Sequence, residues 1–162
     1  MIIETLESLK ANLDGDGRFR IHLNDGTAAD KKCLFFEPAS LQEINEFKFD
    51  LPDDYKTFLT LHNGGRIFTD DWGSGIFVHS LKEIIQETLS ISHLIPEKYF
   101  CVIRYADVGY FLIDEQKVER GEKDYLLYED IDTSNPPQNL KMTFEEFIEK
   151  LIKFEGELFW LK

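Results

Sequence analysis

Positive charge is scarce in this sequence. Its 162 residues carry 18 Lys and Arg against 31 Asp and Glu, a formal net charge of −13 at pH 7 with His neutral. Both halves of the chain are acidic, so the charge belongs to the whole surface rather than to a tail. A field of that sign repels nucleic acid and anionic membrane surfaces and attracts basic partners. Neither nucleic acid nor membrane is therefore expected as a ligand.

Cysteine is also scarce. Cys33 and Cys101 each sit in an apolar run ("CLFF", "YFCVIRY") and no C-x-x-C occurs. Two cysteines are few for a secreted disulfide scaffold, and their surroundings suit buried, inert thiols in a reducing cytosol. One long-range disulfide is the alternative that sequence leaves open. The first residues, "MIIETLESLKANL", lack the basic segment of a signal peptide, and no apolar run is long enough to span a bilayer. The expectation is a soluble, cytoplasmic protein.

The parts that chemistry would need are missing as well. His22, His62, His79 and His93 are never three or four residues apart. "DGDGRF" opens like a calcium loop, but the later ligands do not follow. "WGSGIF" lacks the spacing of a nucleophile elbow, so Ser74 reads as a turn residue. No Gly-rich turn carries the Lys and hydroxyl of a phosphate loop. The acid pairs Asp53–Asp54, Asp70–Asp71 and Glu145–Glu146 read as solvated surface in so acidic a chain. No catalytic residue, metal ligand or cofactor is expected, and the protein reads as no enzyme.

What the chain does have is apolar material: 43% hydrophobic residues and fourteen Phe, enough for one domain over residues 1–162. Ile2, Ile3, Leu6, Leu9 and Leu13 recur at helical spacing. "RFRIHLND" alternates as a half-buried strand, with Phe19, Ile21 and Leu23 opposite Arg20, His22 and Asn24. "CLFFEP" is extended. Ser40 with Glu43, Ser80 with Glu83 and Thr143 with Glu146 each fit a capping box at a helix start. The inner stripe of the first of these helices is read as Leu41, Ile44 and Phe47, and that of the last as Phe144, Phe147, Ile148, Leu151 and Ile152. "RIF", "IFVHS" and "YLLYED" read as strands, and "YFCVIRYADVGYFLIDE" as two strands around a turn at Asp107–Gly109. "EQKVERGEKD" and "DTSNPPQN" read as loops, and "ELFWLK" as a terminal segment packed back on the body. Helices and strands mix without regular alternation. The fold class is α+β, with a twisted, largely antiparallel (mixed) sheet of about five to six strands flanked by helices.

"LPDDYKTFLTLHNGG" (residues 51–65) reads as a helix entered through Pro52, favoured at its start by Asp53 and Asp54, and closed by Asn63 and Gly64. His62 in its last turn is placed where positive charge is favourable. The segment resembles the signature of the SUKH superfamily in Leu51, Pro52, Asp54, Tyr55, Phe58, Leu59, Asn63, Gly64 and Gly65. "GIFVHSLKEI", "CVIRYADVGYFLID" and "TFEEFIEKLI" are similar to the family's later strand, strand pair and closing helix, so the likeness runs from about Ser40 to Ile152. The strand-pair turn keeps only Asp107 and Gly109 of the glycines and acid usual there. The resemblance implies a helix-flanked antiparallel sheet without a common catalytic set. It also implies a role seen often in bacterial members: immunity proteins that bind and neutralise a cognate toxin domain, often a nuclease, of polymorphic toxin systems. Other members are regulatory or scaffolding modules, which here would bind another basic partner.

Two acidic runs are the candidate contacts with such a partner. The first is Asp70, Asp71 and Trp72, where Trp72 is either a ring folded back on the core or an exposed aromatic anchor among acids. The second is Glu129, Asp130 and Asp132.

Overall fold

The computed structural model describes residues 1–23, 25–132 and 135–161. Asn24, Thr133, Ser134 and Lys162 lie outside the described residues, and with them the expected outward face of Asn24 and that part of the "DTSNPPQN" loop expectation. The order of elements is α1 (Ile2–Ala11), β1 (Arg18–His22), β2 (Ala28–Phe35), α2 (Leu41–Asn45), α3 (Asp53–Leu61), β3 (Gly65–Thr69), β4 (Ile76–Val78), α4 (Leu81–Ser90), β5 (Tyr99–Tyr105), β6 (Gly109–Asp114), α5 (Glu115–Glu119), β7 (Leu126–Asp130), β8 (Gln138–Asn139) and α6 (Phe144–Lys153), then a 3-10 turn at Phe159–Leu161. The α+β class holds. The sheet is larger than the expected five to six strands: among the described residues eight strands follow one another in chain order, each antiparallel to the next.

Strand alternation gives the sheet two faces. On the inner face Ile67, Ile76, Val78, Phe100, Phe111, Ile113 and Leu126 meet α1, α3 and α6 in the main core. On the outer face a smaller cluster joins Cys101, Leu112 and Leu127 to Ile91 and Ile95, beside α4. Both cysteines are buried and free, and burial pushes both thiols up.

All three sequence-read capping boxes form, with the hydroxyls of Ser40, Ser80 and Thr143 and the carboxylates of Glu43, Glu83 and Glu146 bonded reciprocally to backbone N–H groups. Two readings are corrected. Leu41 is 67% exposed, because the five-residue α2 sends only Ile44 into the core. "EQKVERGEKD" begins with the short helix α5, whose N-terminus is held by the buried Asp114 carboxylate accepting from Gln116 and Lys117 N–H. No α5 residue is buried, which is why no apolar stripe announces it.

The signature segment is a scaffold part. Leu51, Tyr55, Phe58 and Leu59 are buried. The Tyr55 hydroxyl lies 2.7 Å from the His79 carbonyl and 3.2 Å from that of Val102, and donates its one proton to the nearer. Asp54 joins two helix starts: its carboxylate accepts from Tyr125 Oη at 2.6 Å, Glu145 N at 2.8 Å and Tyr55 N at 2.9 Å. Tyr125 Oη in turn accepts from Phe144 N. Asn63 spans to the next helix, its side-chain oxygen accepting from Leu81 N at 2.9 Å. Of Asn63, Gly64 and Gly65 only Gly64 is left-handed (φ 93°), and a Cβ there would stand 2.7 Å from Ser80 N.

His62 departs from its expected role. It is the C-cap in extended conformation, its Nδ1–H donates to the Phe36 carbonyl, and Nε2 faces the Lys10 ammonium. Burial lowers its pKa, so the ring is neutral and adds no positive charge to the helix end.

Candidate functional site

A meander places alternate connections at the same end of its sheet. Residues 36–64, 79–98 and 115–125 connect strands at one end and hold α2, α3, α4 and α5. The short connections 23–27, 70–75, 106–108 and 131–137 share the other end. In sequence these four contain Asp25, Asp70, Asp71, Asp107 and Asp132 and neither Lys nor Arg. The helix-bearing connections mix both signs, with Lys48, Lys56, Lys82, Lys98, Lys117, Arg120 and Lys123 among their acids. Lys31 on β2 and Lys153 at the end of α6 are the cations that border a cleft at the acidic end.

Both candidate runs thus fall at this acidic end. The first run follows β3 and the second lies on and just after β7; these strands are four steps apart, roughly 19 Å at about 4.8 Å per step. Asp70 serves the first loop itself. Its carboxylate accepts from Trp72 N and Ser74 N at 2.9 Å each, with Lys31 Nζ at 3.8 Å. The Ser74 N–H, the Trp72 N–H and Lys31 hold its pKa below the usual carboxylate value. Asp71 is exposed, and Trp72 is 94% exposed. The folded-back reading of Trp72 is therefore not the conformation observed.

The second run divides between the two faces. Asp130 follows Tyr128 toward the inner side, and its carboxylate accepts from Asp132 N at 3.0 Å. Asp132 is exposed. Glu129 lies on the outer face, half-buried, opposite Tyr110. Burial raises its pKa.

Beside the first loop is a cleft of about 570 Å³ that sequence reading missed. Ile21, Phe68, Tyr105, Phe154 and Leu158 supply its apolar wall. Its closing side is the segment after α6, tied to the edge strand by Glu155 Oε2, which accepts from His22 N at 3.2 Å. Only the "ELFWLK" expectation pointed toward this packing; within that segment Trp160 is buried.

Among the described residues no group of three His, Cys, Asp or Glu could hold a metal ion, and no helix is long and apolar enough to cross a membrane. The most perturbed side chains are interior ones. His79 is 2% exposed and burial lowers its pKa to about 4; its Nδ1 lies 3.3 Å from the Cys101 carbonyl. The phenols of Tyr55 and Tyr125 are pushed up by burial, Tyr125 further by the Asp54 carboxylate.

Comparison with known proteins agrees with the fold. The model of the SMI1 / KNR4 family (SUKH-1) matches residues 38–150. The uncharacterized protein YobM of Bacillus subtilis (strain 168) is 33% identical over 174 aligned positions, covering 97% of this chain and 89% of that protein. The uncharacterized protein YnaB of the same strain is 35% identical over 131 positions, covering 78% of this chain and 85% of its own length.

Proposed function

The chain belongs to the SMI1/KNR4 (SUKH-1) family, and from that premise we propose that it is a non-enzymatic immunity module that binds and neutralises a cognate toxin domain with a basic surface. The observation that carries the proposal is the asymmetry of the sheet: its four short connections hold Asp and no Lys or Arg, with a 94% exposed Trp72 at their margin. Acid around an aromatic is the arrangement that grips a basic protein surface, the charge steering encounter and the ring slowing release. The net charge of −13 suits a nuclease target in particular, because an inhibitor that resembles polyanionic substrate competes for the same surface. The family's membership supports binding rather than turnover.

Co-expression tests this. C-terminal domains of secreted proteins encoded beside the gene are expressed in a sensitive cell with and without the chain. Restored growth, together with a stoichiometric complex that weakens as salt rises, supports the reading. Growth arrest unchanged by the chain for every neighbouring domain overturns it.

A further inference from the structure

The strand registers build a continuous row across the outer face. Leu34 of β2 stands opposite Arg66 of β3, Arg66 opposite Phe77 of β4, and Phe77 opposite Arg104 of β5. Arg104 then stands opposite Tyr110 of β6, and Tyr110 opposite Glu129 of β7. None of the six is buried; Leu34 is 52% exposed and the other five are half-buried. Val108 and Ile131, joined by the Ile131 N–H to the Val108 carbonyl at 2.9 Å, are 37% and 38% exposed beyond the Tyr110–Glu129 end.

The charges in this row are unevenly matched. Arg66 lies between the rings of Phe36 and Phe77, 5.0 and 4.8 Å from their centroids, and bonds Glu83 of α4 at 2.6 Å. Arg104 meets Glu87 of α4 at 3.6 Å and Asp107 at 2.9 Å. One helical turn of α4 thus neutralises both cations. Glu129 has no such counterpart: among the described residues no hydrogen bond or ion pair engages its carboxylate. The pairing of β8 stops at Tyr128, one residue short of it. The row therefore presents aromatic and aliphatic surface with a single uncompensated charge, and that charge is negative. A partly desolvated carboxylate without a partner carries a cost that a cation from outside relieves.

We propose that this row is a docking surface for a protein segment that presents a Lys or Arg to Glu129 and apolar side chains to Tyr110 and Phe77. The proposal rests on the binding-module reading above and extends the partner's contacts from the short-connection end to the outer sheet face. The cation sits against Glu129 with its aliphatic stem along Tyr110, where ring and carboxylate both favour positive charge.

The probe is a synthetic peptide, acetyl-Leu-Arg-Val-Arg-Leu-amide, titrated into the isotope-labelled full chain and followed by backbone amide NMR. A control peptide carries Gln in place of both Arg. The expected result is saturable shift changes at Phe77, Arg104, Tyr110 and Glu129, with affinity lowered about tenfold by Glu129→Gln and by the Gln peptide. Tyr110→Ala weakens binding independently, and melting curves on both variants show that the fold is kept. Saturable changes confined to residues 70–75 and indifferent to Glu129→Gln overturn the row while leaving a basic partner in place. Equal binding of the Arg and Gln peptides at the row overturns the cation and with it the basic-partner reading. Absence of saturable binding at the row overturns the docking proposal.

Discussion

The two ends of the sheet are built to different rules. At the end that carries α2, α3, α4 and α5, polar side chains are spent on structure: Asp54 joins the starts of α3 and α6, Tyr55 bonds the His79 carbonyl, and Asn63 holds the first N–H of α4. At the end with short connections, Asp71, Asp107 and Asp132 face water and Trp72 lies open. The residues that identify the family are nearly all at the first end. A family signature of this kind records what the fold needs, and contacts that distinguish one member's partner from another's are expected at the second end and along the outer face.

The comparison breaks most sharply at Gly64. A side chain there must adopt φ near 93° and place its Cβ 2.7 Å from Ser80 N and 3.0 Å from the Val78 carbonyl, both backbone atoms. Gly64→Val is expected to lower stability by about 3 kcal/mol or more. Gly73 has φ 81° but open space around its Cβ, so Gly73→Ala costs only the backbone term of about 1 kcal/mol. Chemical denaturation of the two variants measures the difference. Equal losses would mean that the helix-bearing end is no more tightly packed than the loop end.

His79 supplies the next effect, through pH. Buried as the neutral ring, it has a folded pKa of about 4 against an ordinary value of 6.5. The unfolded chain therefore binds the extra proton first. Stability from this group is complete above about pH 6.5 and is lost as pH falls toward 4, by about 3 kcal/mol in full. Among the surrounding charges Glu83 raises the ring's pKa and Arg66 and Arg104 lower it, all less than burial does. The carboxyls whose pKa lies below the usual value, Asp14, Asp25, Glu43, Asp70, Glu83 and Asp124, respond lower on the scale. Between pH 6.5 and 4.5, His79→Gln is expected to flatten the fall in melting temperature seen in the native chain. Parallel curves would show that the ring is charged when folded.

Asp54 and its neighbour make a smaller, internal contrast. Asp54→Ala strips Tyr125 Oη and Glu145 N of their acceptor and is expected to cost about 2 kcal/mol. Asp53→Ala removes an exposed acid from the same helix turn and should stay within about 0.5 kcal/mol. Indistinguishable melting curves for the pair would remove the helix-joining role assigned to Asp54.

How much of this was legible in the sequence follows the range of each interaction. Ser40 with Glu43, Ser80 with Glu83 and Thr143 with Glu146 are local pairs, and all three helix starts were readable from spacing alone. The core stripe of α6 was readable for the same reason. The bonds of Asp54 were not, because Tyr125 and Glu145 lie 71 and 91 positions away. His62 was misassigned because Lys10, which faces it, is 52 positions distant. β8, two residues long, is too short for alternation to show. For the candidate site, composition pointed to acid and to Trp72, but only strand order brings 70–75 and 131–137 to one end and turns Glu129 and Asp130 to opposite faces.

Trp72 gives the smallest expected change in stability and separates open surface from core within the short-connection end. At 94% exposure its ring contributes almost nothing to the core, and its N–H bond to Asp70 is a backbone one that alanine keeps. Trp72→Ala should therefore shift stability by no more than about 0.5 kcal/mol. Trp160→Ala makes the counterpart: that ring is 4% exposed and stacks edge-on against Phe111 and Tyr105, 5.1 and 5.7 Å between centroids, so its loss is expected to cost about 3 kcal/mol or more. The same two variants are then compared for complex formation with a toxin domain identified by co-expression. Asp70→Asn with Asp71→Asn is expected to slow association, since exposed charge acts mainly on encounter. Trp72→Ala is expected to speed dissociation by the equivalent of about 2 kcal/mol if the partner closes over the short-connection end. With binding centred on Glu129 instead, Trp72→Ala leaves dissociation unchanged and Glu129→Gln takes over the effect. Melting curves and dissociation rates on one set of samples thus assign Trp72 to the interface or remove it, without the fold entering the comparison.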